Sequence, residues 1–193
     1  DANLGTGTLF QLGGTSVLAG TSASETIAID AGTLRLGASE RLSDAATVQV
    51  AENAAFDLAG ASEAIGALYG LGSVSLGDGM LTVGGTGSDF AFGGTVSGSG
   101  TLRKVGSGTF TLLGDQSLTG DIELLDGTLA FYGNSAGGAL VTGGTLMGNA
   151  SFGDTLTMTG GTIAPGSASQ PFGTISAQTI DLTGGTAIFD FAS

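Results

Sequence analysis

The sequence predicts an all-β chain wound into a parallel β-helix, or β-solenoid. Three features predict it: a recurring Gly-Thr-apolar step, alternation of apolar and polar residues after the steps, and glycine-rich corners at short, unequal intervals. The step occurs as Gly7-Thr8-Leu9, Gly32-Thr33-Leu34, Gly100-Thr101-Leu102 and Gly108-Thr109-Phe110. It returns as Gly127-Thr128-Leu129, Gly144-Thr145-Leu146, Gly161-Thr162-Ile163 and Gly173-Thr174-Ile175. The intervals Gly127 to Gly144 and Gly144 to Gly161 are both 17 residues, and others are irregular. Self-similarity near this period signals stacked repeats.

The strands follow from the alternation. Leu34-Arg35-Leu36, Val48-Gln49-Val50, Phe56-Asp57-Leu58, Val74-Ser75-Leu76 and Leu81-Thr82-Val83 place apolar residues two apart. Phe110-Thr111-Leu112, Ile122-Glu123-Leu124, Leu156-Thr157-Met158, Ile180-Asp181-Leu182 and Phe189-Asp190-Phe191 repeat the pattern. A period of two buries one face and wets the other, which is strand geometry. Arg35, Asp57, Glu123, Asp181 and Asp190 take the outward middle position. Residues 61–68, Ala-Ser-Glu-Ala-Ile-Gly-Ala-Leu, are the nearest approach to a helix, but Gly66, Gly70 and Gly72 argue for a further strand and corner.

The corners are Leu12-Gly13-Gly14-Thr15, Gly77-Asp78-Gly79, Gly84-Gly85-Thr86-Gly87, Leu125-Asp126-Gly127 and Thr159-Gly160-Gly161. Asp-Gly and Gly-Gly tolerate positive φ, so the chain turns tightly there. An antiparallel meander would show hairpin loops of more uniform length. Unequal spacing, with longer excursions expected around residues 37–46 and 134–139, suits a solenoid, in which one rung extrudes a loop without disturbing the stack. At roughly 20 residues per rung the chain holds about nine rungs in a rod about 45 Å long.

Composition narrows the function. Glycine occurs 38 times and proline twice, without the three-residue period of collagen. At 41% hydrophobic and 11% charged, the chain is not of the disordered class. Seventeen acidic residues face only Arg35, Arg41, Arg103 and Lys104, for a net charge of −13. That balance disfavours nucleic acid and anionic lipid as partners. Cysteine and histidine are absent, which removes disulfides, thiolate and imidazole metal sites, and Ser-His-Asp or Cys-His catalysis. No apolar run approaches the ~20 residues of a membrane span. Asp1 opens no signal peptide, and the abrupt ends suggest a piece of something longer.

Residues 92–131, FGGTVSGSGTLRKVGSGTFTLLGDQSLTGDIELLDGTLAF, resemble the passenger-associated transport repeat, also called the autotransporter-associated β-strand repeat. Lys104, Gly106, Gly108, Thr109 and Gly127-Thr128-Leu129 stand at the positions of that pattern, while Leu118-Thr119-Gly120 lacks the tyrosine often found before its Thr-Gly pair. Residues 32–85 are similar to the segment that commonly precedes the repeat. Gly160-Gly161-Thr162-Ile163-Ala164-Pro165-Gly166 resembles the corner near the end of such stems, which makes 142–193 the C-terminal rungs of one continuous segment, 1–193. The resemblance implies a right-handed β-helix, and a parent exported through the outer membrane by a C-terminal β-barrel. It implies a structural or interaction module at the bacterial surface, in adhesion or self-association, with a host or bacterial ligand it does not name.

Weaker constellations set the alternatives. Asp121 and Glu123 form a carboxylate pair on one strand, best read as a solvated face. Residues 84–92 nearly match the calcium-binding β-roll nonapeptide, with Ala91 where a large apolar residue belongs, and in a single copy. Thr155-Leu156-Thr157-Met158-Thr159 would suit an ice-binding face only if many rungs repeated it without charge. The expectation is therefore no catalytic, cofactor-binding or metal-ligating residue. The alternatives are the scaffold of an enzyme-bearing passenger, whose protease or lipase domain lies elsewhere, or a calcium β-roll. Ile188-Phe189-Asp190-Phe191 is expected to leave an open apolar rung at the end of the rod.

Overall fold

In the computed structural model, residues 4–167 and 172–188 are described; they form 20 strands and no helix. Every pairing between these strands is parallel. Each stretch of strand pairs with the stretch a full turn later, whether that is the next strand, as for Leu9–Leu18 with Thr26–Leu36, or the third one on, as for Thr101–Lys104 with Ile122–Leu124. The backbone therefore winds as a parallel β-helix of about 8 turns. The first face carries ten levels, Leu9 to Ala187, but not every level has a strand on the other two faces, so complete turns number about 8 against the expected nine or so.

The strands stack in three faces, the third beginning only at Glu63. The first stacks Thr47–Val50, Ala67–Gly70, Phe90–Phe92, Thr109–Leu113 and Thr162–Pro165 with the opening halves of Leu9–Leu18, Thr26–Leu36, Thr128–Ser135 and Thr145–Met158. Its registers carry Leu9, Ile27, Val48 and Leu68 into line with Phe90, Phe110, Leu129, Leu146, Ile163 and Ala187. This row points inward, and Phe90 stacks on Phe110 with ring centroids 4.7 Å apart. The second face brings Leu34, Phe56, Val74 and Val96 together in the same way. The third stacks Glu63–Ile65, Met80–Val83, Thr101–Lys104, Ile122–Leu124 and Ala139–Val141. Equal spacing of the levels makes one continuous apolar core, in which each fully buried Leu, Ile, Val or Phe contributes roughly 1.5–3 kcal/mol.

The Gly-Thr-apolar step works as three adjacent roles. Gly127, Gly144, Gly161 and Gly185 have φ of +69°, +67°, +76° and +83° and form a column at one corner. A Cβ on Gly144 would stand 2.4 Å from the carbonyl oxygen of Gly127, so both the angle and the close stacking demand glycine. The threonine that follows faces outward, and the next residue enters the core.

Two local expectations are corrected. Leu12 to Thr15 lies within the strand Leu9–Leu18, where the register against the next level shifts; the two glycines bend a strand instead of ending it. Residues 134–139 do not form an excursion, because Thr128–Ser135 continues through Asn134 and only three residues separate it from Ala139–Val141. The expected loop at 37–46 is present, between Thr26–Leu36 and Thr47–Val50. Residues 61–68 fold as two strands meeting at Gly66. Of the terminal segment, Phe189, Asp190 and Phe191 lie outside the described residues, while Ile180, Leu182 and Ile188 are about half exposed at that end.

Candidate interaction surface

The four cations do not form a site. Arg35 pairs with Asp57 one level on, at 3.3 Å, and Arg103 pairs with Glu123 in the same way, at 2.7 Å. Register places each couple side by side on an outer face. Arg41 lies in the 37–46 loop, where its side-chain Nε is buried without a partner. Lys104 is not on the surface. It follows Leu102 by two residues, so the pleat turns it inward between Val83 and Leu124, and it is 1% exposed.

Lys104 is satisfied by backbone. Its Nζ donates to the carbonyl oxygens of Val105 and Gly106, each at 2.7 Å, and to that of Asp126 at 3.4 Å. Gly84 and Gly127, on the levels either side, make the room: a Cβ on Gly127 would come within 2.9 Å of the amine. Burial pulls its pKa below the ordinary 10.5, and the charges of Asp126 and Asp89 oppose that.

Glu63 is the acidic counterpart, also 1% exposed. Its carboxylate accepts the backbone N–H of Arg41 at 2.7 Å and of Leu42 at 3.1 Å. These belong to the loop that replaces a third-face strand on the level below, so a side chain supplies the acceptors that a strand's carbonyls would have supplied. Burial pushes the Glu63 carboxyl up to about 7 despite those two bonds, and nearby Glu40 adds to the rise. Two buried glutamines serve other corners. Gln116 accepts the Val96 N–H and donates to the carbonyls of Leu113 and Gly114; Gln11 donates to those of Gly13 and Gly14. Sequence reasoning missed the inward set. The signal was present in the period of two, since Glu63 precedes Ile65 and Lys104 follows Leu102 by two residues.

The remaining constellations are engaged in holding turns together. Asp121 is exposed and accepts the Gly138 N–H at 3.2 Å, while Glu123 faces Arg103, so the two carboxylates serve different partners. In the nonapeptide-like stretch, Gly84 and Gly87 have φ of +99° and +72° and shape a corner. The Asp89 carboxylate there accepts the Thr109 N–H of the next level at 2.7 Å. Among the described residues, no three acidic side chains gather where they could hold a metal ion. Thr157 lies between Leu140 and Asp181 in its outward row, so threonine does not repeat on that face.

The outer surface is then three unlike faces. On the third, the outward row reads Ala64, Thr82, Arg103, Glu123, Leu140, Thr157, Asp181. On the second, Val17, Arg35 and Asp57 lead into Ser75, Ser97 and Ser117. On the first, Phe10, Ala28, Gln49, Tyr69 and Ala91 continue through Thr111, Ala130, Met147 and Ala164 without one charge, with Ala28 and Ala130 themselves buried beneath their neighbours. Beside that row runs a ladder of Thr109, Thr128, Thr145, Thr162 and Thr186. No protein-family model matches the chain, and neither a curated protein nor a solved structure does. Among the described residues, no helix is long and apolar enough to cross a membrane.

Proposed function

We propose that this chain is the β-helical stem of a secreted bacterial autotransporter passenger, a structural and interaction module acting in adhesion or self-association. The observation that carries the reading is the way the repeat-like residues of 92–131 converge on one corner. Lys104 reaches the carbonyls of Val105, Gly106 and Asp126 across two successive levels, and Gly127 leaves it space. A segment that ties its own rung to the next from within the core is suited to nucleate a stack as the chain emerges unfolded. The absence of cysteine suits such export, because no disulfide-closed loop has to thread a pore. The working location is the outer surface of a Gram-negative cell, with the parent's C-terminal β-barrel as exporter and residues 142–193 as the rungs nearest it. Neither nucleic acid nor anionic membrane is the partner, given the net charge of −13.

The test is surface display. The chain is placed between an export signal and an outer-membrane β-barrel translocator, and exposed protein is counted by antibody on intact cells. Wild-type chain should be displayed and protease-resistant. Lys104→Ala should lower folded display while leaving synthesis unchanged. Equal display of both, or trapping of the wild type in the periplasm, would remove the reading.

A further inference from the structure

We propose that the uncharged first face is the surface on which two copies of this chain lie side by side. The proposal rests on the reading of the chain as a self-associating stem and names the face that does it. Three observations select this face.

The first is electrostatic. With 17 acidic residues against four basic ones, two copies repel wherever their outer charges meet. On the second face Arg35 and Asp57 interrupt the outward row, and on the third Arg103, Glu123 and Asp181 do so. The first face carries no charge in its central row from Phe10 to Ala164, and Asp30 and Asp89 lie only at its borders. Contact there brings the fewest like charges together.

The second is apolar exposure. Tyr69 and Leu71 sit at 37% and 64%, Leu113 at 43%, and Phe10 at 61%. Tyr69, Leu71 and Leu113 fall near the middle of the stack, with threonines toward one end. Exposed apolar side chains at the centre of a face with charges only at its borders are the anatomy of an interface.

The third is size and shape. Ten levels about 4.8 Å apart, crossed by five residues at about 3.3 Å each, give a face of about 700 Å². That is close to the ~800 Å² per partner of a standard interface, so it predicts a specific but weak pair. The occupant is a second copy, because a two-fold axis sets one patch against itself, and a face with no charge in its central row lets two copies of this acidic chain meet with the least repulsion. Many copies on one surface would add their weak contacts together.

The experiment uses two substitutions on the same turn that change the net charge equally. Thr111→Asp puts a carboxylate at the centre of the first face; Ser117→Asp puts one on the second. Sedimentation equilibrium of the purified chain gives the dissociation constant, and small-angle scattering gives the pair's shape. The wild type should dimerise weakly, more tightly as salt screens the charge. Its cross-section should widen while its length stays that of one rod. Thr111→Asp should weaken the pair at least tenfold, and Ser117→Asp less than twofold, with both variants melting like the parent. Equal effects of the two variants, or a pair of doubled length joined end to end, would overturn this face and leave self-association standing. A wild type that stays monomeric at high concentration and high salt would overturn self-association itself, and the display assay would still decide whether the chain is a stem.

Discussion

The first and third faces enclose the same core but line it differently. On the first, the inward row from Leu9 to Ala187 is apolar at every level. On the third, Glu63 stands beside Leu81, and Lys104 stands between Val83 and Leu124. The difference lies in the backbone around them. First-face strands find ladder partners on both sides through most of the rod. The third face abuts a level where residues 37–46 form no strand, and the corner after Lys104 has carbonyls that point inward. A polar side chain enters the core where the backbone would otherwise leave buried groups unpaired. Uniform winding permits an apolar column, and interrupted winding demands internal donors and acceptors.

The comparison breaks if apolar and polar inward residues prove interchangeable. The largest effect is expected at Phe110, which is fully buried and stacked on Phe90. Phe110→Ala should cost about 3–5 kcal/mol in urea unfolding, through lost burial and the cavity left behind. Lys104→Met comes next. It preserves much of the volume but strands the carbonyls of Val105 and Gly106, each worth roughly 1–3 kcal/mol when left unsatisfied, while removing the cost of burying an amine, so a net loss of about 2–4 kcal/mol is expected. Equal or greater stability in that variant would mean that the amine is merely tolerated and that the corner needs no donor.

The smallest effect sharpens the comparison through pH. The Glu63 carboxyl is raised from 4.5 to about 7 by burial, so between those values the folded chain holds a proton that the unfolded chain has released. Stability from this group is therefore full below pH 4.5 and declines as pH rises through 7, by up to about 3 kcal/mol. Glu63→Gln should flatten that part of the stability curve, measured by thermal melts from pH 4 to 8. An unchanged slope would assign the pH dependence to the other acidic groups.

Much of this architecture was legible beforehand. Alternation located strands such as Val48-Gln49-Val50 and Leu81-Thr82-Val83, because a pleat has a fixed period whatever its neighbours. The same period implied that Lys104 and Glu63 face inward, but hydropathy argued the opposite. Only the carbonyls at 105, 106 and 126 and the N–H groups at 41 and 42 explain why the charged groups are accepted. Leu12 to Thr15 and residues 134–139 were misread because glycine and asparagine mark a bend without saying whether hydrogen bonding stops there. The uncharged face was not legible as a face: Phe10, Tyr69, Thr111 and Met147 are far apart in the chain, and only the register of successive turns aligns them.

By itself, then, the sequence determined that this chain makes short strands, turns them at glycine and stacks them in parallel, since pleat period and backbone freedom are local properties. The tertiary structure decided which residues of different turns become neighbours: Lys104 with the carbonyl of Asp126, Glu63 with the amides of Arg41 and Leu42, and one uncharged row along the rod. The physical reason is that register between levels depends on the length of every intervening corner, and each partner lies roughly a full turn away along the chain.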